Sequence, residues 1–134
     1  MPTEFNFFTV DLPKPKINLG VGSGTHAFQT AKVMQGIEEL ILEHKPEAVV
    51  VYGDTNTTLG SALASSKLYV PTIHIESGVR CFNRRNPEEI NRRLISQIAS
   101  LHFAPTKTAH QNLINSNVSG EIFITGNNVI DLSL

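Results

Sequence analysis

The chain has 134 residues, 40% of them hydrophobic, with 12 acidic residues against 11 lysines and arginines and a formal net charge of −1. That size suits one domain with a modest core, and the balanced charge gives no basis for general attraction to nucleic acid or membranes. No apolar run approaches the roughly 20 residues of a membrane span, the start MPTEFNFF lacks the pattern of a secretory signal, and the single Cys81 excludes an internal disulfide, so a cytoplasmic protein is expected.

Residues 1–23 are expected to be irregular, because Pro13 and Pro15 interrupt them and Gly20, Gly22 and Gly24 follow. A helix is predicted from about Thr25 to His44, with Val33, Ile37, Leu40 and Ile41 at helical spacing and Pro46 as its stop. EAVVVY at 47–52 is a continuous valine-rich run and reads as a strand buried on both faces. Residues 56–69 read as a helix rich in small side chains that can sit close to a sheet. Pro71 introduces a short strand, TIHI, and residues 80–86 form a basic loop. A helix over 87–100 is capped by Asn86, has Pro87 in its first turn, and buries a stripe of Ile90, Leu94 and Ile98. LHFA at 101–104 is the third strand, Thr106–Asn115 the next helix, EIFIT at 121–125 the fourth strand, and a last helix starts at Asn127. Strands alternating with helices imply βαβ units. The expected fold is therefore α/β, one domain around a parallel sheet with right-handed crossovers.

Three acidic residues stand just past apolar runs: Asp54 after AVVVYG, Glu76 after PTIHI, and Glu88 at the start of PEEINRRL. In a parallel α/β sheet, the carboxyl ends of the strands border the ligand crevice, so carboxylates gathered there can move protons. Each also has an ordinary structural reading. In YGDTNTT, Gly53 permits a tight turn, while Thr55, Thr57 and Thr58 and the helix start could hold a ligand's polar groups. The same residues are common caps, and Asp54 alone would also suit a Mg²⁺ site of phosphatase type. In IHIESGVR, period two places His74 and Glu76 on one side of the strand. A strand histidine is more often a satisfied core residue than a catalyst. Burial would raise the pKa of Glu76 and a nearby Arg80 would lower it.

Five of the eleven basic residues, Arg80, Arg84, Arg85, Arg92 and Arg93, fall between positions 80 and 93. They could meet a phosphorylated ligand. The structural reading is that Glu88 and Glu89 complement the helix dipole and that Glu88 pairs with Arg92 four residues on. NLGVGSGTH lacks the Gly-Lys-Ser/Thr ending of a P-loop and reads as a flexible loop, although His26 could line a site. Cys81 reads as a small buried or loop residue.

Together, GDTNTTLGSALA, HIESGVR, FNRRNPEEINRR, LHFAPTKTAHQNL and IFITGNNVID resemble the non-hydrolysing UDP-N-acetylglucosamine 2-epimerases, from about residue 12 to the end. LPKPKINLGVGSGTH resembles a branch that includes epimerases of diacetamido sugar nucleotides. The resemblance implies a three-layer Rossmann-like parallel sheet, as the partial N-terminal domain of a GT-B-type two-domain fold. It implies interconversion of UDP-GlcNAc and UDP-ManNAc, or of a related sugar nucleotide, by removal of the carbon-2 proton with loss and re-addition of UDP. It implies catalytic roles for Asp54, Glu76 and Glu88 and substrate contacts from Thr55, Arg80 and His26. No metal or nicotinamide cofactor is expected. Ser77 stands where the family usually has Ala, and Phe28 where it often has Glu.

The resemblance also implies a longer protein, roughly two to three times this length by domain arithmetic. The chain is expected to represent the first half without its opening strand-helix units. It is also expected to be without the second half, which grips most of the UDP and supplies a further catalytic histidine. The edge of the strand at 47–52 would then be unpaired, so the polypeptide is expected to dimerise, swap segments or dock with a separately encoded remainder. Alone, it is expected to be inactive or very weak. A different class stays open, a non-catalytic module that keeps the fold and part of the sugar-nucleotide contact.

Overall fold

The computed structural model describes residues 13–127, and positions 13–25 precede the first helix without regular structure. The final helix expected after Asn127, and the start of the segment expected to be irregular, lie outside the described residues. Helix α1 (His26–His44) begins where the Thr25 hydroxyl accepts the Phe28 amide and ends at Lys45, whose left-handed backbone precedes Pro46. Strand β1 (Val49–Tyr52) leads into α2 (Asn56–Lys67), strand β2 (Thr72–Ile75), α3 (Pro87–Ile98), β3 (Leu101–Ala104), α4 (Lys107–Asn115) and β4 (Glu121–Ile124). Thr55, Asn86 and Thr106 cap α2, α3 and α4, each accepting backbone amides of the first turn.

The four strands are parallel in the order β1-β2-β3-β4. Sequential order with right-handed crossovers carries α2, α3 and α4 to one face, and the strands bury alternate residues accordingly. Val51, His74, His102 and Ile122 stand in register across the sheet. Val51 packs with Leu59, Ala62 and Ile95 beneath α2 and α3, while Ala104, Ala109 and Leu113 form a second cluster beneath α4. Helix α1 lies on α2. A Cβ at Gly60 would stand 3.0 Å from the Thr30 carbonyl oxygen and from the Val33 side chain, so a glycine lets the two helices meet. Among the described residues, no helix is long and apolar enough to cross a membrane.

Two expectations are corrected. The strand at 47–52 is not buried on both faces: Val50 and Tyr52 are exposed on the face opposite Val51, and among the described residues β1 is an edge strand. Nor does α3 bury Ile90 and Leu94, which are 48% and 46% exposed. Its buried residues are Glu89, Asn91, Ile95 and Ser96, with Ile98 partly buried against the core. The helix is rotated because polar partners wait on its inner side. Glu89 meets loop amides, Asn91 meets the end of β1, and Ser96 meets Arg80. Buried polar groups with partners cost little.

Candidate active site at the carboxyl ends of the strands

Asp54 follows β1 at the turn into α2, and its carboxylate is held from α3. Arg92 donates to its Oδ2 through Nε at 3.0 Å and through Nη2 at 2.7 Å. The expected Glu88–Arg92 pair is therefore not formed. The partly buried Asp54 offers one oxygen to two donors of the guanidinium, which an exposed first-turn glutamate does not match. Pairing with Asp54 raises the pKa of Arg92, overcoming the opposing effect of burial. Both guanidinium contacts fall on Oδ2, so a cation already stands beside Asp54, which opposes a second cation there. Among the described residues no cluster of three or more His, Cys, Asp or Glu side chains is placed to hold a metal.

Glu76 follows the last residue of β2 and takes a left-handed backbone with φ 66°. Strand alternation therefore ends at Ile75. Burial, and then the charge of Asp54, raise the pKa of Glu76, while Arg92 pulls it back. Asp54, Glu76 and Arg92 thus form one electrostatic group at the ends of β1 and β2. Glu88 is exposed on the first turn of α3. Its backbone amide donates to Asn86 Oδ1, and among the described residues no hydrogen bond joins its carboxylate to Asp54 or Glu76.

The other sequence candidates divide. The Thr55 hydroxyl caps α2, accepting the Thr58 amide at 3.3 Å. The Thr58 hydroxyl donates to the Tyr52 carbonyl at 2.7 Å, so the Thr55 proton points to Thr58 at 3.1 Å. His26 Nδ1 accepts from the Asn56 amide at 2.9 Å. Arg80 turns inward, donating to the Val79 carbonyl and to Ser96 Oγ, each at 2.9 Å. Burial lowers its pKa and the charge of Glu89 opposes that shift. Gly20, Gly22, Gln29 and Thr55–Thr57 border a cavity of about 570 Å³, whose lining does not include Asp54, Glu76 or Glu88.

Sequence reasoning missed the members supplied by α3. Arg92 serves Asp54 rather than Glu88. Glu89 does more than complement the helix dipole: it is fully buried and its Oε2 accepts the amides of Cys81 and Phe82, which ties the basic loop to α3. Burial raises the Glu89 pKa, but these bonds and the charge of Arg80 win and hold the carboxyl below its ordinary value. The Ser77 departure is also accommodated. Its hydroxyl donates to His102 Nδ1 at 2.9 Å, while His102 Nε2 donates to the Ser119 carbonyl.

A parallel sheet with two carboxyl groups and a guanidinium gathered beyond its strand ends defines a Rossmann-like α/β domain. Residues 2–134 match the family model described as UDP-N-acetylglucosamine 2-epimerase. The chain belongs to that family. It is 48% identical over 129 residues to the UDP-N-acetylglucosamine 2-epimerase of Methanocaldococcus jannaschii, covering 96% of this chain and 35% of the relative. It is 50% identical over 113 residues to the UDP-2,3-diacetamido-2,3-dideoxy-D-glucuronate 2-epimerase of Pseudomonas aeruginosa, covering 84% and 32%. The crystal structure of the M. jannaschii enzyme with UDP-GlcNAc and UDP superposes with a TM-score of 0.88 at 49% identity, over 91% of this chain and 34% of that one. The α/β fold is thus that of the GT-B-type epimerases, and the chain spans about a third of the length of the relatives it matches.

Proposed function

We propose that the chain carries the Asp54–Glu76 part of the active site of a sugar-nucleotide 2-epimerase. Its substrate would be UDP-N-acetylglucosamine or a related diacetamido sugar nucleotide. The observation that carries the reading is the pairing of unlike carboxyl groups. Asp54 is gripped by Arg92, while Glu76 beside it holds its proton to higher pH than an ordinary glutamate. The raised pKa of Glu76 suits it to hold and deliver a proton, beside a second carboxyl group that is paired with a guanidinium. In the reaction, a carboxylate takes the carbon-2 proton. The C–H electrons form a carbon 1–carbon 2 double bond as the bond from carbon 1 to UDP oxygen breaks. Re-addition of UDP, with proton delivery to the other face of carbon 2, completes inversion. Glu88 is the third proposed carboxylate, and Thr55, His26 and Arg80 are the proposed substrate contacts.

The test is incubation with UDP-GlcNAc in deuterated water, followed by NMR at carbon 2, with the chain alone and with the remaining part of a full-length relative supplied. Exchange is expected in the supplemented sample and is expected to fall by about 10²-fold or more in Glu76→Gln, the scale of losing an acid–base group. No exchange in either sample sinks the reading.

We further propose that a partner chain covers the β1 edge, either a second copy or a separately encoded remainder. The edge of β1, unpaired among the described residues, and the exposed Val50 and Tyr52 on that strand support this. Light scattering at micromolar concentration is expected to show association, and a well-folded monomer would count against it.

A further inference from the structure

Where β1 ends, its carbonyls lose their strand partners. The last ladder bond runs from the Gly53 amide to the Ile75 carbonyl at 3.1 Å. Beyond that bond, three successive carbonyls are each met by a buried side chain from a different element. Thr58 Oγ1 of α2 donates to Tyr52 at 2.7 Å. His74 Nε2 of β2 donates to Gly53 at 2.8 Å. Asn91 Nδ2 of α3 donates to Asp54 at 2.9 Å. The three donors are only 5%, 1% and 6% exposed. Asn91 is followed at once by Arg92, which takes the carboxylate of the same aspartate.

Satisfying buried carbonyls would explain any one of these bonds. The middle residue asks for more. Gly53 has φ 80°, and a Cβ built there would meet nothing within 4 Å. No packing contact therefore demands a residue without a Cβ at this position. Glycine is the residue freest to turn, and it stands directly before Asp54.

We infer that Thr58, His74 and Asn91 are positioning residues for Asp54: they clamp the carbonyls of Tyr52, Gly53 and Asp54 and so aim the carboxylate at Arg92. The value of that aim to catalysis rests on the functional reading above, since a misplacement of about 1 Å can cost on the order of 10²-fold in rate. The clamp has a defined protonation state. Gly53 offers only an acceptor, so His74 carries its proton on Nε2. Its buried Nδ1 has no hydrogen-bond partner among the described residues, so a second proton there would be unpaired by them. The clamp also reaches further. Asn91 donates to Asn56 Oδ1 at 3.2 Å, and Asn56 donates to Gln29 and to His26 at the start of α1.

The Arg92 Nε–H, bonded to Asp54, is the reporter. Its solvent exchange is followed by ¹⁵N NMR in the full chain and in variants of two kinds. Thr58→Val, His74→Leu and Asn91→Leu remove a donor at nearly constant shape. Thr58→Ser and His74→Gln keep one. Donorless variants are expected to exchange this proton about tenfold faster, the scale of one net hydrogen bond, while donor-retaining variants stay near the parent rate. Urea midpoints for each variant separate this effect from general loosening. An unchanged rate in folded Thr58→Val overturns the inference, and so does a rate that follows the midpoint whether or not the donor is present. Absence of carbon-2 exchange in the supplemented sample as well as in the chain alone would sink the functional reading while leaving the Arg92 result intact, so the two failures are distinguishable.

Discussion

Gly78→Ala is expected to cost on the order of 3–5 kcal/mol, the sum of a strained backbone and an overpacked contact. Gly78 has φ 88°, and a Cβ there would stand 2.2 Å from the Ala109 carbonyl oxygen and 2.8 Å from the Leu113 side chain. Neither neighbour yields easily. The carbonyl belongs to the backbone of α4, and Leu113 is fully buried in the second core cluster. The chain passes so close because Asn112 of α4 donates to the Gly78 carbonyl at 3.0 Å. Two residues upstream lies Glu76, so relief by moving the loop would shift a candidate catalytic carboxyl. Urea unfolding monitored by circular dichroism measures the effect. A loss below about 1 kcal/mol, or a gain of the size that a tolerated glycine-to-alanine change gives, would show that the loop and α4 are not locked together.

Acid is expected to weaken the fold through His74. Burial lowers its pKa from 6.5 to about 4, with the Gly53 hydrogen bond opposing the shift and the charges of His102 and Arg80 adding to it. In the unfolded chain the imidazole takes up its proton near 6.5. Below that pH the unfolded state binds more protons, so stability falls as pH drops. The loss runs from about pH 6.5 to about pH 4 and is complete below the folded value. Its size is about 3 kcal/mol, on the order of a linkage shift of this extent. His102, also lowered by burial, acts in the same direction. Glu89 does as well, because its depressed carboxyl must be protonated at low pH. Glu76 acts in the opposite direction, since its raised pKa favours the folded state as protons bind. Unfolding free energies measured from pH 7 to pH 4 for the parent and His74→Leu should show a shallower slope in the variant. Parallel slopes would show that His74 does not carry the linkage.

The elements were legible because their punctuation is local. Thr25, Thr55, Asn86 and Thr106 accept amides within their own first turns, and Pro46 and Pro71 interrupt the chain wherever it folds. Two of the three carboxyl groups were legible for a related reason, since a residue just past a buried strand must lie at the end of the sheet. The partners were not legible. Arg92 lies 38 residues from Asp54 and Asn91 lies 37 residues away. Nothing in PEEINRR distinguishes an arginine that turns to Glu88 from one that reaches across to another turn. Helical periodicity pointed to Ile90 and Leu94 as the inner stripe. It failed because apolar spacing cannot register that Glu89, Asn91 and Ser96 each have a partner on the inner side.

By itself the sequence determined where strands and helices begin, that they form a parallel α/β sheet, and which family the motifs belong to. Those properties depend on short-range capping, side-chain period and motif order. Only the tertiary structure decided how α3 is rotated, which cation holds Asp54, and that three buried donors converge on the end of β1. These outcomes depend on which polar groups meet across elements far apart in the chain, and a buried polar group is settled by the partner it finds.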